Sequence, residues 1–198
     1  ENRSRLPTLS SPPVPLPSPQ SGEGRGSRAQ SGGGIYLYLA NAVVSGNTIS
    51  GSVPHLEYTG TRNGGGIYAL HSTVTMSGNV ISGTSGYKDG GGVYAKLSSV
   101  STSGDSLLSN ECITNGGGIY SERSSLSIGN TVLRGNYAAS MGGGIYHRAA
   151  GFELENSVVA LNESGALGGG IYADSSWGGW TNNTIDGNGS LYAGGKNG

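Results

Sequence analysis

The chain has 198 residues, with 11 basic and 12 acidic side chains that leave a net charge of −1. This near balance argues against a nucleic-acid partner and against a polybasic membrane-surface segment. No apolar run approaches the ~18 residues of a membrane-spanning helix, so the sequence predicts no membrane insertion within this chain. The single cysteine, Cys112, excludes an internal disulfide framework and a cysteine-based zinc site.

The first 31 residues differ in composition from the rest of the chain. Six of the seven prolines lie between Pro7 and Pro19, and the sequence SGEGRGSRAQ follows, with no aliphatic side chain larger than Ala. A segment of this kind cannot bury a core, so we expect residues 1–31 to be a disordered tail or linker. A proline-rich ligand for an aromatic groove is the alternative.

A glycine-rich motif recurs after residue 31. Gly-Gly-Gly-Ile-Tyr begins at Gly32, Gly64, Gly116, Gly142 and Gly168, and Gly-Gly-Gly-Val-Tyr begins at Gly90. The successive intervals are 32, 26, 26, 26 and 26 residues, and a seventh, incomplete copy starts at Gly194. Regular spacing of this kind is the signature of a solenoid. Residues 32–198 are therefore predicted to form one repeat domain, truncated at its carboxyl end.

Within each repeat, apolar residues alternate with period two over short segments, and no stretch shows the 3.6-residue period of a helix. Each repeat is predicted to contain about three short strands joined by tight corners. One such unit cannot bury its apolar face alone, but stacked copies can. We therefore expect an all-β fold, a right-handed single-stranded parallel β-helix of about six coils of 26 residues.

The repeats resemble the polymorphic outer-membrane-protein repeats of bacterial surface proteins with pectate-lyase-like β-helices. That family pairs a Gly-Gly-Ala-Ile-like motif with Phe-x-x-Asn. The second motif reads here Leu107-Leu-Ser-Asn110, Leu133-Arg-Gly-Asn136, Val159-Ala-Leu-Asn162 and Ile185-Asp-Gly-Asn188, with aliphatic residues in place of Phe. The resemblance covers residues 32–198. It implies a longer, exported polypeptide located outside the cell or at the bacterial outer surface.

Three sets of residues recur at the repeat spacing and are candidates for a role. The asparagines Asn110, Asn136, Asn162 and Asn188 are expected to form a structural hydrogen-bonding ladder. The charged residues Lys96, Glu122, Arg148 and Asp174 alternate in sign and form either a cross-strand charge ladder or a binding stripe. The tyrosines Tyr36, Tyr68, Tyr94, Tyr120, Tyr146 and Tyr172 are expected to point outward while the preceding aliphatic residues point inward.

An outward row of tyrosines predicts an exposed aromatic strip suited to a sugar ring or a protein partner. A self-packed ladder covered by a loop is the alternative. Trp177 falls on an outward position in the last complete repeat, where it either packs as core or lid or is exposed. The one insertion, in the first repeat, carries His55, Glu57, Tyr58 and Arg62, which form either a loop site or a decorated corner.

The predicted function is that of a non-catalytic cell-surface module, stalk-like or adhesin-like, which binds a surface polysaccharide or protein through an outer strand face. It needs no metal and no cofactor. A polysaccharide-degrading lyase or hydrolase is the main alternative, but the four aspartates Asp89, Asp105, Asp174 and Asp186 fall in four different columns. Ice binding is a minor alternative. It rests on rows of Thr and Ser that begin at Thr73 and Thr75 and break at Gly151 and Glu153.

Overall fold

A computed structural model describes residues 32–52 and 63–191. The predicted tail, residues 1–31, and the incomplete repeat at Gly194 lie outside these ranges. The described residues contain strands but no helix, and every strand pair is parallel. From residue 63 to residue 191 the chain makes about five coils of 26 residues, and residues 32–52 add strands to three of the sheets. The molecule is an all-β parallel solenoid, as the repeat spacing predicts.

The strands, numbered in chain order, form four sheets that run along the solenoid. Sheet A contains β1 (Ile35–Tyr38), β4 (Ile67–Leu70), β8 (Val93–Lys96), β12 (Ile119–Glu122), β16 (Ile145–Arg148) and β20 (Ile171–Asp174). Sheet B contains β2 (Asn41–Ser45), β5 (Thr73–Ser77), β9 (Ser99–Ser103), β13 (Ser125–Gly129), β17 (Phe152–Glu155) and β21 (Trp180–Thr181).

Sheet C contains β3 (Thr48–Ser50), β6 (Val80–Ser82), β10 (Ser106–Leu108), β14 (Val132–Arg134), β18 (Val158–Ala160) and β22 (Thr184–Asp186). Sheet D contains β7 (Ser85–Gly86), β11 (Glu111–Cys112), β15 (Tyr137–Ala138), β19 (Glu163–Ser164) and β23 (Gly189–Ser190). The prediction of three strands per repeat is wrong, because each coil has four sides. The strands of sheet D have only two residues, which is too short for an alternating pattern to be visible.

Each corner of a coil contains one residue with positive φ, and these residues form four columns along the solenoid. Glycine fills the column at the start of each triplet, from Gly32 to Gly168. The column between sheets A and B contains no glycine; its members are Leu39, His71, Leu97, Arg123, Ala149 and Ser175. A single left-handed residue of this kind costs roughly 1–2 kcal/mol, which the stacking of the coils offsets.

The interior is a set of aliphatic columns. Ile67, Val93, Ile119 and Ile145 line it from sheet A, and the larger side chains Leu126, Ile128, Phe152 and Leu154 line it from sheet B. Sheet C contributes Ile81, Leu107, Leu133 and Val159, all of which are completely buried. Burial of each such side chain contributes roughly 1.5–3 kcal/mol. The gain therefore accumulates coil by coil.

The asparagines after sheet C form a buried ladder. The backbone N–H and the side-chain Nδ2 of Asn110 both donate to Oδ1 of Asn136, each at 3.0 Å. Asn136 donates in the same way to Oδ1 of Asn162, and Asn162 donates to Asn188. Each Nδ2 also donates to a backbone carbonyl, which for Asn136 is that of Leu107 at 3.0 Å. Each of these side chains thus finds acceptors for its own Nδ2, and its Oδ1 accepts from the backbone N–H at the same corner of the preceding coil.

Candidate functional site: the outer face of sheet B

The tyrosine row on the outside of sheet A is a stack of parallel rings. Successive ring centroids are 4.9–5.2 Å apart, and the interplanar angles are 2–10°. The rings form a cluster separate from the aliphatic interior, and Leu70 and Met141 pack against it. Tyr94 and Tyr146 are only 5% exposed, whereas the terminal Tyr36 is 47% exposed. The expected exposed strip is therefore wrong for Tyr68, Tyr94, Tyr120 and Tyr146, because identical rings at strand spacing cover one another.

Burial changes the titration of these phenols. It raises the pKa of Tyr94 and Tyr120 well above the usual value of 10.0, since the anionic form would lie in a poorly solvated stack. The Tyr120 hydroxyl donates to Glu122 Oε2 at 3.1 Å. Burial also raises the pKa of Tyr68 and Tyr146. The stack is thus held in its neutral form, and its outer edge is hydrogen-bonded to the charged column beside it.

The four charged residues beside the tyrosines form two ion pairs. Lys96 Nζ lies 2.7 Å from Glu122 Oε2, and Arg148 Nε lies 3.0 Å from Asp174 Oδ2. The hydrogen bond from Lys96 lowers the pKa of Glu122 below its usual range. The cross-strand charge ladder accounts for this column. With their charges paired, these residues offer little for a binding stripe.

Three other reactive groups are buried and structural. Burial raises the pKa of the Cys112 thiol to about 12, so the thiol is held in its unreactive form. His147 is completely buried, with Nδ1 3.1 Å from Ser121 Oγ and Nε2 3.0 Å from the Ala150 carbonyl. Burial raises the pKa of Asp89, whose Oδ1 accepts from the Asn115 backbone N–H at 3.2 Å.

The outer face of sheet B is different, because it carries regularly spaced side chains that point to solvent. Strands β5, β9 and β13 place on it the eight residues Thr73, Thr75, Ser77, Ser99, Ser101, Ser103, Ser125 and Ser127. We call these eight residues the hydroxyl array. All are exposed except Ser77, which is half-buried. Among the described residues, the only side-chain hydrogen bond that the array makes joins Ser77 Oγ to Ser45 Oγ, at 3.1 Å.

The array continues into two carboxylates and an indole. Glu153 follows Ser127 in the same column, and both Glu153 and Glu155 are exposed. Glu153 Oε2 accepts a hydrogen bond from the Gly179 backbone N–H at 2.8 Å. Trp177 pairs with Gly151 at the end of the column that contains Ser125, and it is 68% exposed. Of the two alternatives for Trp177, core or lid packing is wrong and exposure is right.

Two glycines shape the surroundings of Trp177. A Cβ built on Gly151 would lie 3.4 Å from Trp177 Nε1, so the polar edge of the indole extends over Gly151 toward the hydroxyl array. Gly178 has a φ of +147°, and a Cβ there would collide with the Phe152 carbonyl oxygen. Trp180 occupies the inward column and packs against Phe152, with ring centroids 5.2 Å apart, although it is 46% exposed at the end of the described stack. The local sequence therefore directs one tryptophan inward and the other outward.

The remaining candidates do not converge on a site. His55, Glu57, Tyr58 and Arg62 lie outside the described residues. Asp89 and Asp105 are buried in polar columns, Asp174 is paired with Arg148, and Asp186 is exposed on sheet C. Within residues 32–52 and 63–191, no group of three or more His, Cys, Asp or Glu side chains could hold a metal ion.

The sequence predicts the outer face of sheet B only in part. The rows of Thr and Ser are visible in it, and they break at Gly151 and Glu153. The missed signal is the 26-residue step from Gly151 to Trp177, which places the indole in line with the array.

Comparisons with family models, with curated proteins and with solved structures found no match for this chain. No helix in the part of the chain that the structure describes is long and apolar enough to cross a membrane.

Proposed function

We propose that this chain is a non-catalytic module, stalk-like or adhesin-like, of an extracellular or cell-surface protein, and that it binds a glycan through the outer face of sheet B. One observation carries the proposal. Seven exposed hydroxyl side chains of the array stand at regular spacing with their hydrogen-bonding groups turned to solvent, and they lead to an exposed indole. A sugar ring has hydroxyl groups that can hydrogen-bond to the side-chain hydroxyls, and it has an apolar face that can stack on the indole.

The position of the face also supports binding. The aliphatic columns pack the strands of sheet B from inside, so the backbone that carries the outer side chains is ordered before a ligand arrives. A preorganised surface loses little conformational entropy on binding. The resemblance to bacterial surface repeats supports an exported location, which a labelled antibody against the module would test on intact cells.

The glycan proposal is tested by retention of the protein on a panel of immobilised polysaccharides. The informative variant replaces Thr75, Ser101 and Ser127 together by Ala, which removes one complete column of hydroxyls. We expect retention to fall at least fivefold. The matched control replaces Ser82 and Ser106 by Ala, since both stand on the outer face of sheet C. Failure of every polysaccharide to retain the protein, or equal retention of the triple variant and the wild type, contradicts the proposal.

Ice binding is a second candidate, because the hydroxyl array repeats in two directions, along each strand and from coil to coil. Thermal hysteresis of the wild-type protein, lost in the same triple variant, would favour ice over a glycan. A protein that shows no hysteresis but is retained on a polysaccharide would exclude this candidate.

The enzyme alternative predicts release of unsaturated or reducing sugar from pectate or alginate in the presence of calcium. Hydrolysis needs a pair of carboxylates, and among the described residues Glu153 and Glu155, which share the outer face of β17, are the pair that would be tested. Any enzyme-dependent product would contradict the non-catalytic proposal.

A further inference from the structure

The charges on the outer face of sheet B restrict the class of ligand. Its outward positions in the described strands carry two carboxylates, Glu153 and Glu155, and no basic side chain. The nearest basic residue along the chain, Arg123, lies at the corner before β13 and not on the sheet. The carboxylates would repel an anionic polysaccharide and leave its charges unpaired. They would accept hydrogen bonds from the hydroxyls of a neutral one.

The direction of the face restricts the path of the ligand. The hydroxyl columns repeat once per coil, at the strand spacing of about 4.8 Å. That spacing is close to the length of one pyranose unit in an extended β-linked chain. The column of Thr73, Ser99, Ser125, Gly151 and Trp177 runs along five successive coils. A chain laid parallel to the solenoid axis would therefore place one sugar ring over each coil.

The indole and the carboxylate beside it define the end of this path. Trp177 extends its N–H edge over Gly151, a position that has no side chain of its own. Glu153 stands in the outward column next to that of Trp177, and the Gly179 backbone N–H fixes its carboxylate by a hydrogen bond. An indole ring combines a large apolar face with one polar donor, which suits the mixed surface of a sugar. Tryptophan is among the side chains that commonly dominate the affinity of an interface once a ligand covers them.

On these grounds we propose that the ligand is a neutral, extended β-linked polysaccharide, which lies along the solenoid axis with one sugar ring stacked on Trp177 and its hydroxyls bonded to Glu153 and the array. This inference rests on the proposed glycan-binding function and adds the charge class, the direction and the anchoring residue.

The test is calorimetric titration of the whole chain with neutral oligosaccharides, namely β-1,4-linked glucose and mannose series of two to seven units, and with oligogalacturonate as the anionic probe. At least one neutral series should bind, with affinity that rises with length and levels off near five units. Oligogalacturonate should bind at least tenfold more weakly. A plateau at two or three units would contradict the axial path.

Two substitutions test the anchor. Trp177→Ala should weaken binding of the neutral series at least tenfold, and Glu153→Gln should weaken it severalfold. Tyr137→Ala, which removes an exposed aromatic side chain from sheet D, is the matched control and should bind as the wild type does. Far-ultraviolet circular dichroism checks that each variant keeps its β structure.

The outcomes separate the two proposals. If oligogalacturonate binds better than both neutral series, or if Trp177→Ala binds as tightly as the wild type, this inference is overturned while the glycan-binding function stands. If neither neutral series binds although an immobilised polysaccharide retains the protein, the inference also fails. If no polysaccharide retains the protein, both proposals fall.

Discussion

Individual polar residues that enter the interior of this solenoid are hydrogen-bonded, and among the described residues only the Ser164 Oγ atom is buried without a partner. Asp105 is 1% exposed, and its Oδ1 accepts from the Asn79 backbone N–H at 2.6 Å while its Oδ2 accepts from Thr102 Oγ1 at 2.6 Å. An unpartnered buried group of this type would cost roughly 1–3 kcal/mol or more. His147 follows the same rule, but its partners suit the neutral ring. It occupies a column that holds alanine in Ala69 and Ala95.

Stability should fall as the pH drops below about 6.5, in part through His147. Burial lowers the pKa of His147 below the ordinary value of 6.5, so the unfolded chain takes up a proton that the folded chain refuses. His147→Ala should reduce the decrease in the urea midpoint between pH 7 and pH 5. His71→Asn, which removes an exposed corner histidine, is the control and should retain the wild-type decrease. An unchanged decrease in His147→Ala would argue against this role.

At the scale of the strand and corner, the first two glycines of a triplet serve different purposes. The first has positive φ, as at Gly142. The second lies against the backbone of the adjacent coil, so that a Cβ on Gly143 would collide with the carbonyl oxygens of Glu163 and Gly169. The corner after sheet B needs only a left-handed residue, and asparagine replaces glycine there at Asn130 and Asn156.

Two glycine substitutions should therefore differ sharply in effect. Gly143→Ala should lower the free energy of unfolding by roughly 3 kcal/mol or more, because the coils must separate to admit the methyl group. Gly104→Asn should change it by less than about 1 kcal/mol, since its Cβ meets nothing within 4 Å and asparagine tolerates positive φ. Chemical denaturation measures both. Equal losses in the two variants would show that close approach is not the reason for the triplet.

Over the whole molecule, stability is shared among ladders that run the length of the solenoid. The tyrosine stack is one of them, and its inner members are buried by one another and by Leu70 and Met141, which pack against them. A stack of neutral phenols has a particular weakness, because each ring that ionises places a charge between two others.

Alkaline pH should accordingly destabilise the fold. Burial raises the pKa of Tyr68, Tyr94, Tyr120 and Tyr146, so the unfolded chain loses protons above about pH 10 that the folded chain keeps. Stability is therefore complete below pH 10 and declines above it. The denaturation midpoint should decline less steeply between pH 9.5 and pH 11 in Tyr120→Phe than in the wild type. Tyr137→Phe, outside the stack, should follow the wild type, and a midpoint that rises with pH would contradict the assignment.

The sequence was sufficient to predict the repeat, the aliphatic columns and the sign alternation of the charged column, because each depends on residue type at fixed spacing. It was insufficient where a column has no common residue type. The column of corner residues between sheets A and B, from Leu39 to Ser175, is such a case, since backbone stacking alone imposes its positive φ. The exposure of Tyr94 and Trp177 was also beyond the sequence. Outward direction is set by strand alternation, but exposure depends on what the neighbouring coil places alongside.

The ion pairs of sheet A imply that coils can be removed without bringing like charges together only in even numbers. Deletion of residues 116–141 would leave every sheet in register, because it removes one whole 26-residue period. It would also place Lys96 beside Arg148, two like charges on adjacent strands. Deletion of residues 116–167 would instead bring Lys96 beside Asp174. In geometry the coils are interchangeable one at a time, but in charge they are interchangeable only in twos.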